Sequence, residues 1–192
     1  MKNKKIKHIH HGKSSRDILD GADVLSRAGL KSGQIFLDAG CGDGYFSILA
    51  SSMVGENGKV YAIDIHEDSI NNLEKEVENK SIKNLYPIVA DVTHKIPLDN
   101  DSVDLCLMVN VLHGFVENDE IEKVMGEIFR VIKSGGIFAV VEFKKIKGTP
   151  GPPLDVRIYN SEVVDLLINY GFRPVTAYDI GDHHFMVKST KK

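Results

Sequence analysis

The segment from Asp38 to Gly44, which reads Asp-Ala-Gly-Cys-Gly-Asp-Gly, constrains the fold of this 192-residue chain more than any other. It follows the short apolar run 34–37 and precedes an amphipathic run from Tyr45 to Met53. This order predicts a strand, a glycine turn and a helix. Glycines let the backbone approach a ligand closely, and the first turn of a helix presents N–H groups to it. The segment therefore predicts a ligand-binding turn in an α/β fold.

The two carboxylates of this turn indicate which ligand it binds. Asp38 and Asp43 would repel the pyrophosphate of a dinucleotide but attract a ligand with a cationic amino-acid end. S-adenosylmethionine (SAM) carries both an ammonium and a sulfonium. The spacing Gly40-x-Gly42-x-Gly44 also lacks one of the two residues that precede the third glycine of the dinucleotide fingerprint. SAM is therefore favoured, and NAD is the alternative.

Apolar runs and helical patterns alternate along the chain. We expect parallel strands at 34–38, 59–64, 85–90, 103–110 and 136–143. Helical patterns occupy 15–28, 44–54, 67–79 and 118–132, the last with Asn118 as N-cap, and a later helix capped by Asn160 or Ser161 runs to Tyr170. Strands at about 173–180 and 183–188 flank Gly181-Asp182 and predict a terminal hairpin. The pattern predicts an α/β fold, a doubly wound sheet with helices on both faces.

Composition narrows the class of protein. The length suits one domain, so we expect a basic, histidine-containing tail over 1–14 and a single domain over 15–192. A net charge of −3 offers no overall attraction to nucleic acid or anionic membrane. The two cysteines, Cys41 and Cys106, do not suggest a disulfide framework, and neither a secretory signal nor a membrane-spanning run is visible. These features predict a cytoplasmic protein.

Acidic residues follow the second and third expected strands, where an open parallel sheet binds its ligands. Asp64 lies twenty residues beyond Gly44, a spacing that suits an acceptor for the ribose hydroxyls of an adenosine ligand. A helix N-cap is its alternative role, and both roles are compatible. Asp91 is a candidate acceptor for the adenine amino group, and Val92 would pack on the ring.

The order of these motifs resembles the class I SAM-dependent methyltransferases. The chain is most similar to the small methyltransferase type 11 branch, which includes the quinone-biosynthesis C-methyltransferases and the arsenite methyltransferases. The resemblance runs from about Gly33 to Phe172 and rests on segments 37–44, 62–64, 90–91, 96–104, 110–113, 130–136 and 170–172. It implies a Rossmann-like seven-stranded sheet with the order 3-2-1-4-5-7-6 and an antiparallel last strand.

The resemblance also implies a set of cofactor contacts. Asp38 and the turn residues Gly40, Cys41 and Gly42 would hold the methionine end of SAM, and Gly44 would allow the close approach of the helix. Asp64 would bind the ribose and Ile65 would lie against the adenine, which Asp91 and Val92 would frame. Asn110 would lie under the methionine moiety, near the sulfonium.

Histidines supply the candidate catalytic groups. His113 follows the fourth strand, and its ordinary pKa near neutrality suits a general base, although a packing role is the alternative. His184 is a second candidate. His10 and His11 precede the first helix, and His183 and Glu142 are expected at the carboxyl edge of the sheet, so His11, His113, Glu142, His183 and His184 are candidates for lining a substrate pocket. We expect no metal, although a histidine cluster with Glu142 keeps that alternative open.

The absence of several family motifs reduces the number of possible methyl acceptors. The fourth strand ends in Asn-Val-Leu-His and not in the Asn-Pro-Pro-Tyr of amino-methylating relatives, and no Pro-Cys nucleophile follows it. Two cysteines are too few for the thiolate set that arsenite methylation needs. Cationic side chains of the 144–160 loop, among them Lys144 and Arg157, would favour an anionic small molecule. We therefore expect in-line methyl transfer to a small molecule. A non-catalytic SAM-binding partner subunit, or a methyltransferase acting on RNA or protein, is the alternative.

Overall fold

The structure, a computed structural model, describes residues 14–192 apart from the side chains of Pro174 and Val175. Its single sheet has seven strands in the order β3-β2-β1-β4-β5-β7-β6. All pairings are parallel except those of β7, which runs antiparallel to both β5 and β6. The order and the antiparallel last strand are as expected. The strands are β1 Ile35–Ala39, β2 Lys59–Asp64, β3 Leu85–Val89, β4 Val103–Val109, β5 Ile132–Phe143, β6 Phe172–Ile180 and β7 His184–Lys191.

Within residues 14–192, six α-helices flank these strands, and a short 3₁₀ turn at Ser15–Asp17 precedes the first helix. The helices are α1 Gly21–Ala28, α2 Tyr45–Val54, α3 Glu67–Asn79, α4 Leu112–Glu117, α5 Ile121–Val131 and α6 Asn160–Asn169. No helix of the described part is long and apolar enough to cross a membrane.

The core has one layer on each side of the sheet. Residues of α1, α2 and α3 pack on one face, and residues of α4, α5 and α6 pack on the other. The strand β4 serves both layers, since Leu105 and Leu107 join the first while Cys106 and Met108 join the second. A strand covered on both faces buries every side chain, which explains its almost continuous apolar sequence.

The first helix differs from the expected span 15–28. A 3₁₀ turn occupies 15–17, and α1 begins only at Gly21, after Asp20. The Asp20 side chain accepts hydrogen bonds from the backbone N–H groups of Ala22 and Asp23, at 3.0 and 3.1 Å. These bonds satisfy donors that the first turn of a helix leaves unpaired, so Asp20 sets the start of the helix.

The expected helix over 118–132, with Asn118 as its N-cap, was wrong at both ends. Asn118 is the C-cap of the short helix α4, and α5 begins at Ile121. Between the two helices, Asp119 has a φ of 59°, a left-handed conformation that a continuous helix excludes. The strand β5 begins directly after α5, at Ile132 and not at 136.

The start of α6 was also misplaced. Neither Asn160 nor Ser161 is its N-cap, because both residues already lie within the helix and Tyr159 precedes it. The backbone N–H of Tyr159 donates to the Glu162 carboxylate at 2.6 Å. This bond turns the chain into the helix one residue earlier than the side-chain pattern indicates.

Candidate cofactor site and active site

The glycine turn after β1 has the backbone geometry that its sequence predicts. Gly40, Gly42 and Gly44 all have positive φ, of 83°, 54° and 75°. A Cβ at Gly44 would lie 2.4 Å from a methyl carbon of Leu73, so this glycine lets α2 approach α3. A Cβ at Gly42 would meet nothing within 4 Å among the described residues. The turn therefore presents open space at Gly42, where a ligand can approach the backbone.

Asp38 lies beneath this turn, almost fully buried at 2% exposure. The Ser47 hydroxyl, from the first turn of α2, donates to its Oδ2 at 2.6 Å. Burial raises the pKa of Asp38 to about 7, even though the Ser47 bonds oppose the shift, and the negative charges of Asp64 and Asp43 add to it. A cationic group bound nearby would favour the ionised form of this carboxyl.

Cys41 is also buried in the turn, at 7% exposure. Burial, aided by the negative charge of Asp38, raises the pKa of its thiol far above the ordinary range. The backbone N–H groups of Gly40 and Cys41 both donate to the carbonyl of Ile63, at 2.8 and 3.0 Å. The thiol is therefore unreactive, and these two N–H groups tie the turn to β2.

Asp64, at the end of β2, joins the turn to the expected ribose position. Its Oδ2 accepts from the backbone N–H of Gly42 at 2.9 Å, and its Oδ1 accepts from that of His66 at 2.9 Å. A carboxylate has about four acceptor positions, so both oxygens can still accept from hydroxyl groups. The next residue, Ile65, is 48% exposed, which leaves an apolar surface against which an adenine ring can pack.

Asp91, after β3, already has three internal hydrogen bonds. Its Oδ1 accepts from the backbone N–H and hydroxyl of Thr93 at 2.8 and 2.7 Å, and its Oδ2 lies 3.0 Å from Nδ1 of His94. Burial raises the pKa of Asp91, but these bonds outweigh burial and lower it overall. Val92 is buried beside it. Asp91 is thus ionised and rigidly held at the edge of the expected adenine site.

Asn110 is strained and incompletely bonded. It follows β4 with a φ of 57°, in the left-handed region. Its Nδ2 lies 3.4 Å from the Ser15 hydroxyl, while its Oδ1 is buried and has no hydrogen-bond partner among residues 14–192. A buried acceptor without a donor is unfavourable. The ammonium of SAM is a suitable donor, so the unpartnered Oδ1, the open turn at Gly42 and the exposed Ile65 together fit this cofactor.

The segment before α1 crosses the glycine turn, a feature that the sequence did not reveal. The Tyr45 hydroxyl donates to the carbonyl of Leu19 at 3.2 Å and accepts from the N–H of Gly21 at 3.0 Å. The Arg16 guanidinium lies 3.7 Å from Asp43 and 5.1 Å from the centre of the Tyr45 ring. Tyr45 and Ser47 were not singled out as site residues, because nothing local marks a helix side chain as a contact of a distant segment.

His113 and Glu142 form a buried pair at the ends of β4 and β5. The His113 Nδ1 lies 2.8 Å from Oε2 of Glu142, and the His113 backbone N–H donates to Oε1 at 3.1 Å. The residues are 5% and 1% exposed. Burial lowers the pKa of His113, but the hydrogen bond and negative charge of Glu142 outweigh it, so the pKa is raised overall. The structure thus brings together two of the predicted pocket residues.

His184 lies apart from this pair. It pairs with Phe143 in the β5–β7 register, whereas Glu142 pairs with Phe185. Since successive residues of a strand face opposite sides of the sheet, His184 and Glu142 are on opposite faces. Among residues 14–192, no three His, Cys, Asp or Glu side chains converge as a metal site would require. His183 lies in the preceding turn, and His10 and His11 fall outside the described residues.

Arg157 does not offer its donors to a ligand. It is 4% exposed, and its guanidinium donates to the carbonyls of residues 144, 146, 149, 150 and 152 and to the Thr149 hydroxyl. All five of its N–H groups can be satisfied by these oxygens. An anionic molecule would therefore feel the charge of Arg157 but would find no free N–H on it, which limits the expected role of this side chain in favouring an anionic acceptor.

Fold, glycine turn and acidic strand ends define a SAM-dependent methyltransferase. The chain belongs to the methyltransferase domain family, whose model matches residues 30–163. A SAM-dependent methyltransferase from Aquifex aeolicus is 32% identical, with a TM-score of 0.85 over 94% of each chain. SAM is thus the cofactor.

Two relatives bear on substrate class. A probable cobalt-precorrin-6B C(15)-methyltransferase (decarboxylating) of Sulfolobus acidocaldarius is 28% identical over 81% of this chain and 78% of its own length. The ubiquinone/menaquinone biosynthesis C-methyltransferase UbiE of Vibrio campbellii is 28% identical over 88% of this chain. The chain spans only 61% of that relative's length.

Proposed function

We propose that this enzyme transfers the methyl group of SAM to a small-molecule acceptor by in-line displacement, with His113 receiving the proton that the acceptor loses. The observation that carries the proposal is the buried pair of His113 and Glu142 at the carboxyl edge of the sheet. His113 lies three residues after Asn110 in the chain. When bound, SAM supplies an electrophilic methyl group on a sulfonium.

Glu142 determines what His113 can do. An ionised carboxylate only accepts hydrogen bonds, so the nitrogen that faces it, Nδ1, carries the proton. The basic lone pair of the neutral ring is then on Nε2. The second Glu142 oxygen accepts from the His113 backbone, which fixes the carboxylate and the ring together. Glu142 would thus orient His113 as a base and stabilise the imidazolium that forms after proton transfer.

A cavity beside α4, the helix that contains His113, supports a small acceptor, although neither His113 nor Glu142 lines it. The cavity measures about 270 Å³ and is lined by Val116, Glu117, Lys145 and residues 155–158 with Glu162. Its volume is near the lower limit for small-molecule pockets. A larger depression of about 600 Å³ lies around Pro97 and Arg130, at the opposite edge of the sheet. The two relatives also favour a small acceptor. One is named as a cobalt-precorrin-6B methyltransferase and the other as a C-methyltransferase of ubiquinone/menaquinone biosynthesis.

The test is methyl transfer to a panel of phenols, quinols, enolisable carbonyl compounds, amines and carboxylates. Release of S-adenosylhomocysteine (SAH) and the mass of the methylated product are measured together. We expect the wild-type enzyme to methylate at least one class, and His113→Gln to lower kcat by about 10²–10⁴-fold. The Kd of SAM, measured by calorimetry, should change less than about threefold, since His113 is expected to act on the acceptor.

Three results would contradict this proposal or a part of it. SAM binding without SAH release from any acceptor class would favour the non-catalytic partner subunit. Methylation of RNA or protein alone, under the same conditions, would exclude a small-molecule acceptor. Full turnover by His113→Gln would leave the methyltransferase assignment intact but remove His113 as the base.

A further inference from the structure

His184 is a buried histidine whose ring nitrogen lacks a partner. It begins β7 beside Phe143, the last residue of β5, and the two ring centres are 4.1 Å apart. The residue is only 1% exposed, and its Nε2 has no hydrogen-bond partner among residues 14–192. Leaving a buried polar nitrogen unpaired costs folding free energy, so native structures rarely retain one without a use. This nitrogen therefore indicates a ligand contact at the carboxyl edge of β5 and β7.

Arg157 supplies a second, independent observation at the same place. Its guanidinium lies 5.4 Å from the centre of the Phe143 ring, the ring against which His184 packs. Its hydrogen bonds go to uncharged oxygens alone, and within the described residues no carboxylate lies within 4.0 Å of it. A buried cation without a counter-ion is unfavourable, and it attracts negative charge to its surroundings.

The other charged groups near His184 do not reverse this field. Lys144 lies 2.8 Å from Asp179, which compensates its charge. Burial lowers the pKa of His184 to about 4, and the positive charges of His183, Arg157 and Lys144 lower it further. At neutral pH His184 is thus an uncharged ring in a positive field. A neutral imidazole has one N–H donor and one acceptor nitrogen, and in a positive field the tautomer with its proton on Nε2 suits an electron-rich oxygen.

The Arg157 charge acts on both His113 and His184, although the two histidines lie on opposite faces of the sheet. Burial lowers the pKa of both rings, and the charge of Arg157 contributes in the same direction to each. Arg157 is therefore a charged neighbour that the two histidines have in common near the carboxyl ends of β4 and β5. It would act on a ligand bound there through its charge, because its N–H groups are already bonded.

We propose that Nε2 of His184 donates a hydrogen bond to a phenolic, enolic or carbonyl oxygen of the methyl acceptor. The acceptor is then an oxygenated, conjugated compound whose oxygen carries the negative charge that forms when His113 removes a proton. His184 is a specificity-determining residue of the acceptor site. This inference rests on the proposed function, since it names the substrate class of the same site.

The direct test is a titration of the full-length protein, saturated with SAH and labelled with ¹⁵N-histidine, with phenol and with toluene. The two probes have similar size and differ in the oxygen. We expect phenol to bind about tenfold more tightly than toluene, the effect of one hydrogen bond to a buried donor. The His184 Nε2 resonance should shift with phenol, and with toluene it should stay near its position in the SAH complex.

Variants of His184 separate a hydrogen bond from a change in packing. His184→Phe keeps an aromatic ring against Phe143 but has no nitrogen, so phenol and toluene should bind it equally. His184→Gln retains a side-chain donor and should recover part of the preference for phenol. Asp182→Asn changes an exposed residue of the turn before β7 and should keep the full preference.

The outcomes distinguish this proposal from the function on which it rests. Equal affinities for the two probes, binding of neither, or an unmoved His184 resonance would overturn the oxygen contact. Because the titration needs no turnover, a preference for phenol in a protein that transfers no methyl group would overturn the proposed function alone. Methyl transfer by a protein that does not distinguish phenol from toluene would overturn the oxygen contact alone.

Discussion

At the scale of single residues, Asp38 shows how a buried carboxyl makes stability depend on pH. In the folded protein the pKa of Asp38 is about 7, whereas its ordinary value is 3.8. Between about pH 4 and 7 the folded state therefore binds a proton that the unfolded state has lost. The free energy of unfolding contributed by this group falls as the pH rises through that window, and is lowest above pH 7.

Asp38→Asn should remove this dependence. At pH 8 we expect the variant to be more stable than the wild type by about 2–4 kcal/mol, because it no longer ionises a buried group. At pH 4 the two should be equally stable to within about 1 kcal/mol. Chemical denaturation at both pH values measures the difference, and calorimetry should show SAM binding at least about tenfold weaker. A variant that is less stable at pH 8 would contradict the assignment of Asp38 as a strained buried acid.

Glu142 provides a test of His113 that depends on pH. A base must be unprotonated, so kcat/KM should rise with pH through the pKa of His113, which Glu142 raises. Glu142→Gln removes the negative charge, lowers this pKa, and should shift the acid limb about one unit to lower pH. The pH profile of kcat/KM, with an acceptor from the panel, measures the shift. An acid limb that stays in place would indicate that Glu142 has only a structural role.

At the scale of elements, the 144–158 loop is ordered by one side chain. Six hydrogen bonds from Arg157 tie this loop to itself and to the end of β5. The loop lies beside Phe143, the ring that packs against His184. Its sequence, with three prolines and two glycines within 148–153, predicts irregular structure but not a defined conformation.

Arg157→Met should loosen this loop. We expect a loss of about 2–4 kcal/mol in the free energy of unfolding and faster amide hydrogen exchange confined to residues 144–157, because the carbonyls lose their donor. Lys147→Met is the matched control, since Lys147 is exposed in the same loop. Unchanged exchange in Arg157→Met would mean that the loop is held by other contacts.

At the scale of the whole molecule, cofactor binding and folding are coupled. A ligand that binds only the folded state adds about 2.7 kcal/mol at one hundred times its Kd. For a protein of this size the melting temperature should rise by about 5–10 °C with SAH. Asp64→Ala should reduce this rise to below about 2 °C, since the variant loses the expected ribose contact and the link to Gly42.

Asp165→Ala is the control for that measurement, because Asp165 is exposed on α6, away from the glycine turn. It should show the full rise with SAH. A normal rise in Asp64→Ala would exclude Asp64 from the cofactor site and weaken every assignment that follows from its spacing to Gly44.

Much of the fold was predictable because its signals are local. Alternating apolar runs predicted all seven strands, the resemblance to the SAM-dependent methyltransferases implied their order, and the glycine turn predicted the cofactor. Helix starts were less predictable. Asp20 caps α1 with its side chain, Asp119 has a left-handed φ and Tyr159 donates its backbone N–H, and none of these is recorded by apolar periodicity. His113, Glu142 and His184 stay predictions as site residues, and the sequence did not reveal that the first two pair while the third lies apart, because this depends on strand register.

The sequence by itself determined the strand–turn–helix unit and favoured the SAM cofactor, since both depend on residues close together in the chain, whereas the sheet order came from the resemblance of the whole motif series to a known family. Only the tertiary structure decided that Glu142 joins His113, that His184 lies on the other face, and that Arg157 is internally bonded. These contacts join residues that are distant in sequence, through side-chain directions that register and loop closure set. The glycine turn therefore indicates the methyl donor, whereas the side-chain arrangement at the carboxyl ends of β4 and β5 could be seen only in the folded chain.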